Sequence, residues 1–180
     1  MKKGVAYGVG VGPGDPELMT LKAIRLIREH KKGAKILETY LERGKNVVYI
    51  TLGDPTIYCT FSYLQHILEA DGYTVKLVSG ITSFCAAAAR MNLPLAEWDE
   101  QLHVMPAVHR LEEPLACSGN YVLMKSASHM KEVKNLLRTS GREVSMVENC
   151  SMDTEKVYHS VDEIPDDAGY FSLIIAKEAK

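Results

Sequence analysis

The sequence predicts an α/β protein whose first half holds a largely parallel sheet. Three observations carry that expectation. A glycine-rich turn, residues 8–16, separates an apolar strand from a helical stretch. Strand, loop and helix signals then alternate as far as residue 91. The strand over residues 46–52, Asn-Val-Val-Tyr-Ile-Thr-Leu, is a continuous apolar run, as in a sheet covered on both faces.

The elements follow in order. Gly4-Val5-Ala6-Tyr7 starts the first strand, and Gly8-Val9-Gly10-Val11-Gly12-Pro13-Gly14-Asp15-Pro16 forms the turn. Leu21-Lys22-Ala23-Ile24-Arg25-Leu26-Ile27 has helical character, and a second helical stretch covers residues 34–43. The strand at 46–52 ends in Gly53-Asp54-Pro55-Thr56. A helix follows over 58–70, with Phe61, Leu64, Ile67 and Leu68 on one face. Gly72 closes it, and Thr74-Val75-Lys76-Leu77-Val78 is the next strand. Gly80-Ile81-Thr82-Ser83 leads into an alanine-rich helix that runs to Met91. After Pro106 the pattern changes. Residues 108–119 read as a linker with a short helix, 120–125 as a strand, and Ser128 as the cap of a helix burying Leu136 and Leu137. Strands over 144–147, 156–160 and 170–175 return after short turns, so the second half is expected to be more antiparallel. Two domains are predicted, residues 1–107 and 108–180.

Bulk properties narrow the function classes. The chain has 180 residues, is 46% hydrophobic and 24% charged, and carries a net charge of −2. That balance gives no general signal for nucleic acid. No apolar run is long enough to span a membrane, and no leader pattern opens the chain. Cys59, Cys85, Cys117 and Cys150 are widely spaced with no C-x-x-C, which fits a reduced, cytoplasmic protein without a zinc site. His103 and His109 are isolated, so no metal site is expected.

The glycine turn departs from the nucleotide-binding patterns. A G-x-G-x-x-G reading starting at Gly8 or Gly10 would end on Pro13 or Asp15, and no Gly-Lys-Ser/Thr triplet follows. Asp15 and Glu17 put negative charge near a helix start, which opposes a bound phosphate. A neutral or cationic ligand fits better. The loops at 53–56 and 80–83 share the carboxyl edge with this turn, where loops of an open α/β sheet converge on a ligand. Asp54 suits a cation or a ribose hydroxyl, and also suits a plain Asp-Pro turn. Thr82 and Ser83 suit a ligand carboxylate or purine edge, and equally a helix N-cap.

These residues carry a family resemblance. Residues 8–23, Gly-Val-Gly-Val-Gly-Pro-Gly-Asp-Pro-Glu-Leu-Met-Thr-Leu-Lys-Ala, strongly resemble the N-terminal signature of the tetrapyrrole methylases. Thr51-Leu52-Gly53-Asp54-Pro55-Thr56-Ile57-Tyr58 resembles the second signature. Its Thr-Leu-Gly-Asp-Pro-Thr form is similar to the branch that methylates C-20 of precorrin-2 or cobalt-factor II in cobalamin biosynthesis. Residues 80–89, with Pro94-Leu95-Ala96-Glu97 after them, support that branch.

The resemblance implies two αβα domains with S-adenosylmethionine in a cleft between them, a tetrapyrrole substrate, and a homodimer. It matches Pro13, Leu52, Gly53, Asp54, Ile57, Thr82, Ser83, Met124 and Cys150 to cofactor contacts, and Met124 reads equally as a core strand residue. Gly12, Arg90, His109, Arg110 and Lys125 become candidate substrate contacts, the cations because the ring carries many carboxylates. Each cation also reads as an ordinary solvated side chain. No catalytic base stands out. One departure is evident: between residues 28 and 33 a few tens of residues of the family pattern have no counterpart. Two helices then abut without a strand between them, which leaves a sheet position unfilled.

Overall fold

A computed structural model of the chain describes residues 3–10, 30–107, 111 and 115–179. The helix expected over 21–27, together with Gly12, Pro13, Asp15, Glu17, His109 and Arg110, lies outside them. The chain divides into two compact units, Met1–Ser83 and Phe84–Lys180.

The first unit is built on three parallel strands, β1 (Val5–Gly10), β2 (Val47–Thr51) and β3 (Thr74–Val78), in the order β2-β1-β3. Helices α1 (His30–Leu41) and α2 (Phe61–Ala70) pack on one face. The reason is the spacing of apolar side chains. Ala34, Leu37 and Leu41 recur along α1, and Phe61, Leu64 and Leu68 along α2, so each helix presents one apolar stripe. These meet Ala6, Val47, Tyr49 and Val75, which share one side of the strands by the period of two. Phe61 is fully buried and stacks on Tyr49, with ring centroids 4.9 Å apart. Gly8 lies beneath it, because a Cβ there would overlap the Phe61 ring.

Helix α1 and helix α2 end the same way. Lys45 N–H bonds the Tyr40 carbonyl at 3.1 Å and Gly44 N–H the Leu41 carbonyl at 3.0 Å. Tyr73 and Gly72 repeat the pair on Leu68 and Glu69, at 2.9 and 3.0 Å. Gly44 and Gly72 take the positive φ this cap requires, 74° and 78°. Gly4 N–H also bonds the Leu41 carbonyl at 2.8 Å, which pins the end of α1 beside the start of β1. The expected helix at 58–70 begins at Phe61 instead. Tyr58 has φ 48° and so cannot join the helix.

The second unit is a three-layer arrangement. Its five-stranded sheet has the order β4-β5-β8-β6-β7, with β4 (Leu102–Pro106) parallel to β5 (Asn120–Met124). β6 (Arg142–Glu148), β7 (Lys156–Tyr158) and β8 (Ser172–Glu178) make antiparallel pairs. Alternation along the central strands feeds two cores. Tyr121, Leu123, Val144, Met146, Ile174 and Ala176 face α4 (Met130–Thr139) through Met130, Val133 and Leu137. Val122, Val147, Leu173 and Ile175 face α3 (Ser83–Arg90) through Phe84, Ala87 and Ala88.

The division between units falls after Ser83, earlier than the expected boundary at 107/108. Two contacts place it there: α3 contributes to the second core, and β4, a strand not anticipated, is hydrogen-bonded to β5. Phe61→Ala removes the ring that fills the first core. It should cost about 3–5 kcal/mol, read as a lowered urea midpoint.

Candidate functional site

The carboxyl ends of β1, β2 and β3 meet backbone to backbone. A Cβ on Gly10 would lie 2.9 Å from the Cα and N of Gly80 and would overlap the Gly53 carbonyl oxygen. A Cβ on Gly80 would lie 2.7 and 2.8 Å from the carbonyl carbon and Cα of Gly10. Gly53 adopts φ 73° to turn its carbonyl into this contact. Only glycine at these positions allows three strand ends to close to this distance.

Asp54 holds the arrangement. Its Oδ1 accepts the Thr56 amide N–H at 2.8 Å and the Thr56 hydroxyl at 2.6 Å. Its Oδ2 accepts the Ser79 hydroxyl at 2.6 Å and the Gly80 amide N–H at 2.9 Å. Asp54 is 7% exposed. The Ser79 hydroxyl, then the Thr56 hydroxyl and amide, and the Gly80 amide hold its carboxyl well below the usual carboxylate range, against the opposing effect of desolvation. A carboxylate has about four lone-pair positions, and four donors use them. The expectation of a ribose or cation contact through this side chain is therefore corrected: the carboxylate ties the β2 loop to the β3 loop. The partners Ser79 and Thr56 were not among the sequence candidates. An Asp-x-Thr turn is a visible signal for Thr56, whereas Ser79 is reached only through the fold.

The other candidates in this unit surround that tie. Leu52 is half-buried and Gly53 buried, and Ile57 lies exposed just past the turn. Ile57 N–H bonds the Asp54 carbonyl at 3.3 Å. Thr82 and Ser83 are half-buried at the start of α3. The Thr82 hydroxyl is buried and has no hydrogen-bond partner among the described residues. A buried hydroxyl left so costs about 1–3 kcal/mol, so it marks a place where a ligand polar atom would be accepted. Residues 51–56 and 79–83 contain no Lys, Arg or His. This edge therefore offers hydroxyls and backbone groups beside an engaged carboxylate, a setting suited to a neutral or cationic ligand and not to phosphate.

In the second unit, Met124 ends β5, and its register partner on β8 is Leu173, which pairs with Val147 of β6. Cys150 follows β6 on the same edge. Both Met124 and Cys150 pack against the Val122–Val147–Leu173–Ile175 core. Three non-glycine residues on this edge have positive φ: Lys125 at 59°, Asn149 at 53° and Ser151 at 66°. Arg90 pairs its guanidinium with Glu155, which also accepts the Ser151 amide at 2.7 Å. Glu155 is held below its ordinary pKa by the Ser151 N–H and then by Arg90. The Arg90 charge is thus already matched inside the unit. His103 bonds the Ser118 carbonyl at 2.9 Å and stacks on Tyr121 at 4.7 Å, a packing role. Among the described residues no cluster of His, Cys, Asp or Glu is arranged to hold a metal, and no helix is long and apolar enough to cross a membrane.

Two outcomes follow from the Asp54 tie. Its folded pKa is lowered, so its contribution to stability is complete above the ordinary carboxylate pKa of about 3.9 and is lost as pH falls toward the folded value. In Asp54→Asn the fall in urea midpoint between about pH 5 and about pH 2.5 should be shallower than in the parent. Gly80→Ala should destabilise by about 1–3 kcal/mol in the same measurement, because its Cβ meets backbone that cannot turn aside.

Comparison with known proteins bears on the family and the fold. A family model described as Tetrapyrrole (Corrin/Porphyrin) Methylases matches residues 5–32 and 28–165. A probable cobalt-precorrin-2 C(20)-methyltransferase of Methanocaldococcus jannaschii is 32% identical over 222 residues, covering 97% of this chain and 96% of that protein. A precorrin-2 C(20)-methyltransferase of Sinorhizobium is 24% identical over 96% of this chain and 94% of its own length. Among solved structures, a cobalt precorrin-4 methyltransferase superposes with a TM-score of 0.78 at 21% identity, covering 96% of this chain and 94% of that one. The uroporphyrin-III C-methyltransferase of Thermus thermophilus, complexed with S-adenosyl homocysteine, gives 0.73 at 23% identity, covering 97% and 98%. With the fold, the glycine contact and the near full-length match all on the same chain, it belongs to the tetrapyrrole methylase family.

Proposed function

We propose that this chain is an S-adenosylmethionine-dependent methyltransferase acting at C-20 of precorrin-2 or cobalt-factor II. The observation that carries the cofactor is the Thr82 hydroxyl, buried and unpartnered among the described residues, on loops 51–56 and 79–83 that contain no Lys, Arg or His. The likeness to relatives named for C-20 methylation, together with the Thr-Leu-Gly-Asp-Pro-Thr form at residues 51–56, carries the ring position.

The cofactor supplies an electrophilic methyl group on a sulfonium. The chain positions and shields. Leu52, Gly53, Asp54 and Ile57 form one wall, Asp54 through its backbone, since its carboxylate is engaged. Thr82 and Ser83 supply hydroxyls. Pro13, Met124 and Cys150 complete the set that the family pattern assigns. A meso carbon of a reduced tetrapyrrole is enamine-like, so alignment and exclusion of water are the main demands on the protein. Gly12, His109, Arg110 and Lys125 are assigned to the substrate. Arg90 joins them by exchanging Glu155 for a substrate carboxylate. The same reading carries a cytoplasmic homodimer, which sedimentation at micromolar concentration tests.

A second reading has its own support. The family model matches in two pieces that overlap at residues 28–32. A chain interrupted there could bind cofactor without turnover.

Incubation with S-adenosylmethionine and either tetrapyrrole should give a product heavier by one methyl. No gain with either ring, with cofactor binding intact, selects the second reading. Thr82→Val should weaken S-adenosylhomocysteine binding about fivefold in calorimetry, as expected for the loss of a hydrogen bond of ~1 kcal/mol. Its thermal midpoint should not fall, because the hydroxyl has no partner among the described residues. Unchanged affinity would remove Thr82 from the site.

A further inference from the structure

Among the described residues of the second unit, the exposed large apolar side chains are Trp98, Leu102, Tyr170 and Phe171. Leu102 opens β4, and Trp98 precedes it. Tyr170 and Phe171 stand at the other end of the sheet, just before β8. That strand runs antiparallel to β5 and β6, so its start lies at their ends: Leu173 pairs with Met124, and Ser172 with Glu148. Asn149 N–H bonds the Phe171 carbonyl at 3.1 Å, which carries the pairing one residue further. The two aromatic residues therefore share the edge that holds Met124, Lys125 and Cys150.

The chain on both sides of this pair is fixed. Gly169 N–H donates to Glu148 Oε1 at 2.6 Å, and the Ser172 hydroxyl donates to the Gly169 carbonyl at 2.7 Å. A Cβ on Gly169 would lie 2.9 Å from Glu148 Oε1, so the turn closes directly on that carboxylate. The rings of Tyr170 and Phe171 meet edge to face, with centroids 5.3 Å apart at 84°, an arrangement that aromatic pairs favour. Yet Tyr170 is 68% exposed. Ordering these rings at the surface returns little burial to the fold. A ready-made aromatic surface instead lowers the entropic cost of binding a flat partner.

We propose that Tyr170 and Phe171 form a stacking platform for the face of the tetrapyrrole ring. The inference rests on the tetrapyrrole reading of the substrate and adds two residues that hold it. Such a ring has a broad conjugated face and a rim of carboxylates. Aromatic side chains take the face, and cations take the rim. The cations are on the same edge. Arg90, with 62% of its side chain exposed, is joined to it through Glu155 and the Ser151 amide, and Lys125 follows β5 directly. The carboxylates of Glu148 and Glu155 on this edge are already engaged, the first by Gly169 and Tyr158, the second by Ser151 and Arg90.

Titration with cobalt-factor II in the presence of saturating S-adenosylhomocysteine tests this, read as a shift of the ring's absorption bands without turnover. Tyr170→Ala and Phe171→Ala should each raise the Kd of the ring about fivefold or more, as for the loss of a stacked aromatic side chain. S-adenosylhomocysteine affinity should hold in both. Tyr170→Phe keeps the ring and should bind as the parent does. Should an Ala variant not fold, Leu at the same position removes the ring, keeps apolar bulk and gives the same readout. Unchanged ring affinity in both positions overturns the inference and leaves the methyltransferase reading standing. A parent that binds S-adenosylhomocysteine but neither cobalt-factor II nor precorrin-2 removes the tetrapyrrole reading and the inference with it. Weakened S-adenosylhomocysteine binding would assign the rings to the cofactor. Loss of a dimer that the parent shows in sedimentation would assign them to a second copy of the chain. Either result overturns the platform.

Discussion

Asp54 accepts four hydrogen bonds from two loops that are distant in sequence, and the geometry of the first unit's ligand-facing edge rests on that one carboxylate. Thr56 fixes the turn after β2, while Ser79 and Gly80 bring the end of β3 to it. The cost of burying a carboxylate is met by donors that are themselves rigid, two of them backbone amides. The ionised form is strongly favoured as a result. Removing the carboxylate would strand Ser79 and Gly80 and release the loop that carries Gly53. The glycine contact between Gly10, Gly53 and Gly80 is a consequence of the same tie, since strand ends pulled this close leave no room for a Cβ.

The two units solve their packing differently. In the second unit the central strands are buried on both faces, with α4 on one side and α3 on the other. In the first, α1 and α2 share one face, while Val48 and Ile50 stand exposed on the other. A parallel arrangement gives a sheet no reason to keep an open apolar face.

Much of this was legible in the sequence. The repeated strand–loop–helix pattern located β1, β2, α2 and β3, because each carries its own periodicity and a glycine at its end. The family signature located the loops at 53–56 and 80–83. The helical stretches that abut near residue 30 in the sequence marked the place where the family match divides. What escaped depended on partners far away in the chain. β4, Leu-His-Val-Met-Pro, carries a polar residue and ends on proline, so nothing local marks it as a strand; pairing with β5 makes it one. Asp54 looked like a ligand contact because its hydrogen-bond donors at residues 79 and 80 are brought near only by the sheet. Arg90 looked like a free cation because Glu155 lies in a turn after β6.

The meeting of Gly10, Gly53 and Gly80 also bears on how such a chain can change over generations. A side chain gained at Gly10 or Gly80 collides with main chain contributed by the other two strand ends, and main chain cannot be traded away by substitution. No order of single steps relieves the crowding, because replacing a second glycine adds bulk and never removes it. Gly10 and Gly80 are thus locked jointly, and Gly53 by its positive φ, while the loop residues around them are free to diverge in size and polarity. New ligand preferences on this scaffold would arise by altering what flanks the glycine junction, with the junction itself inherited intact.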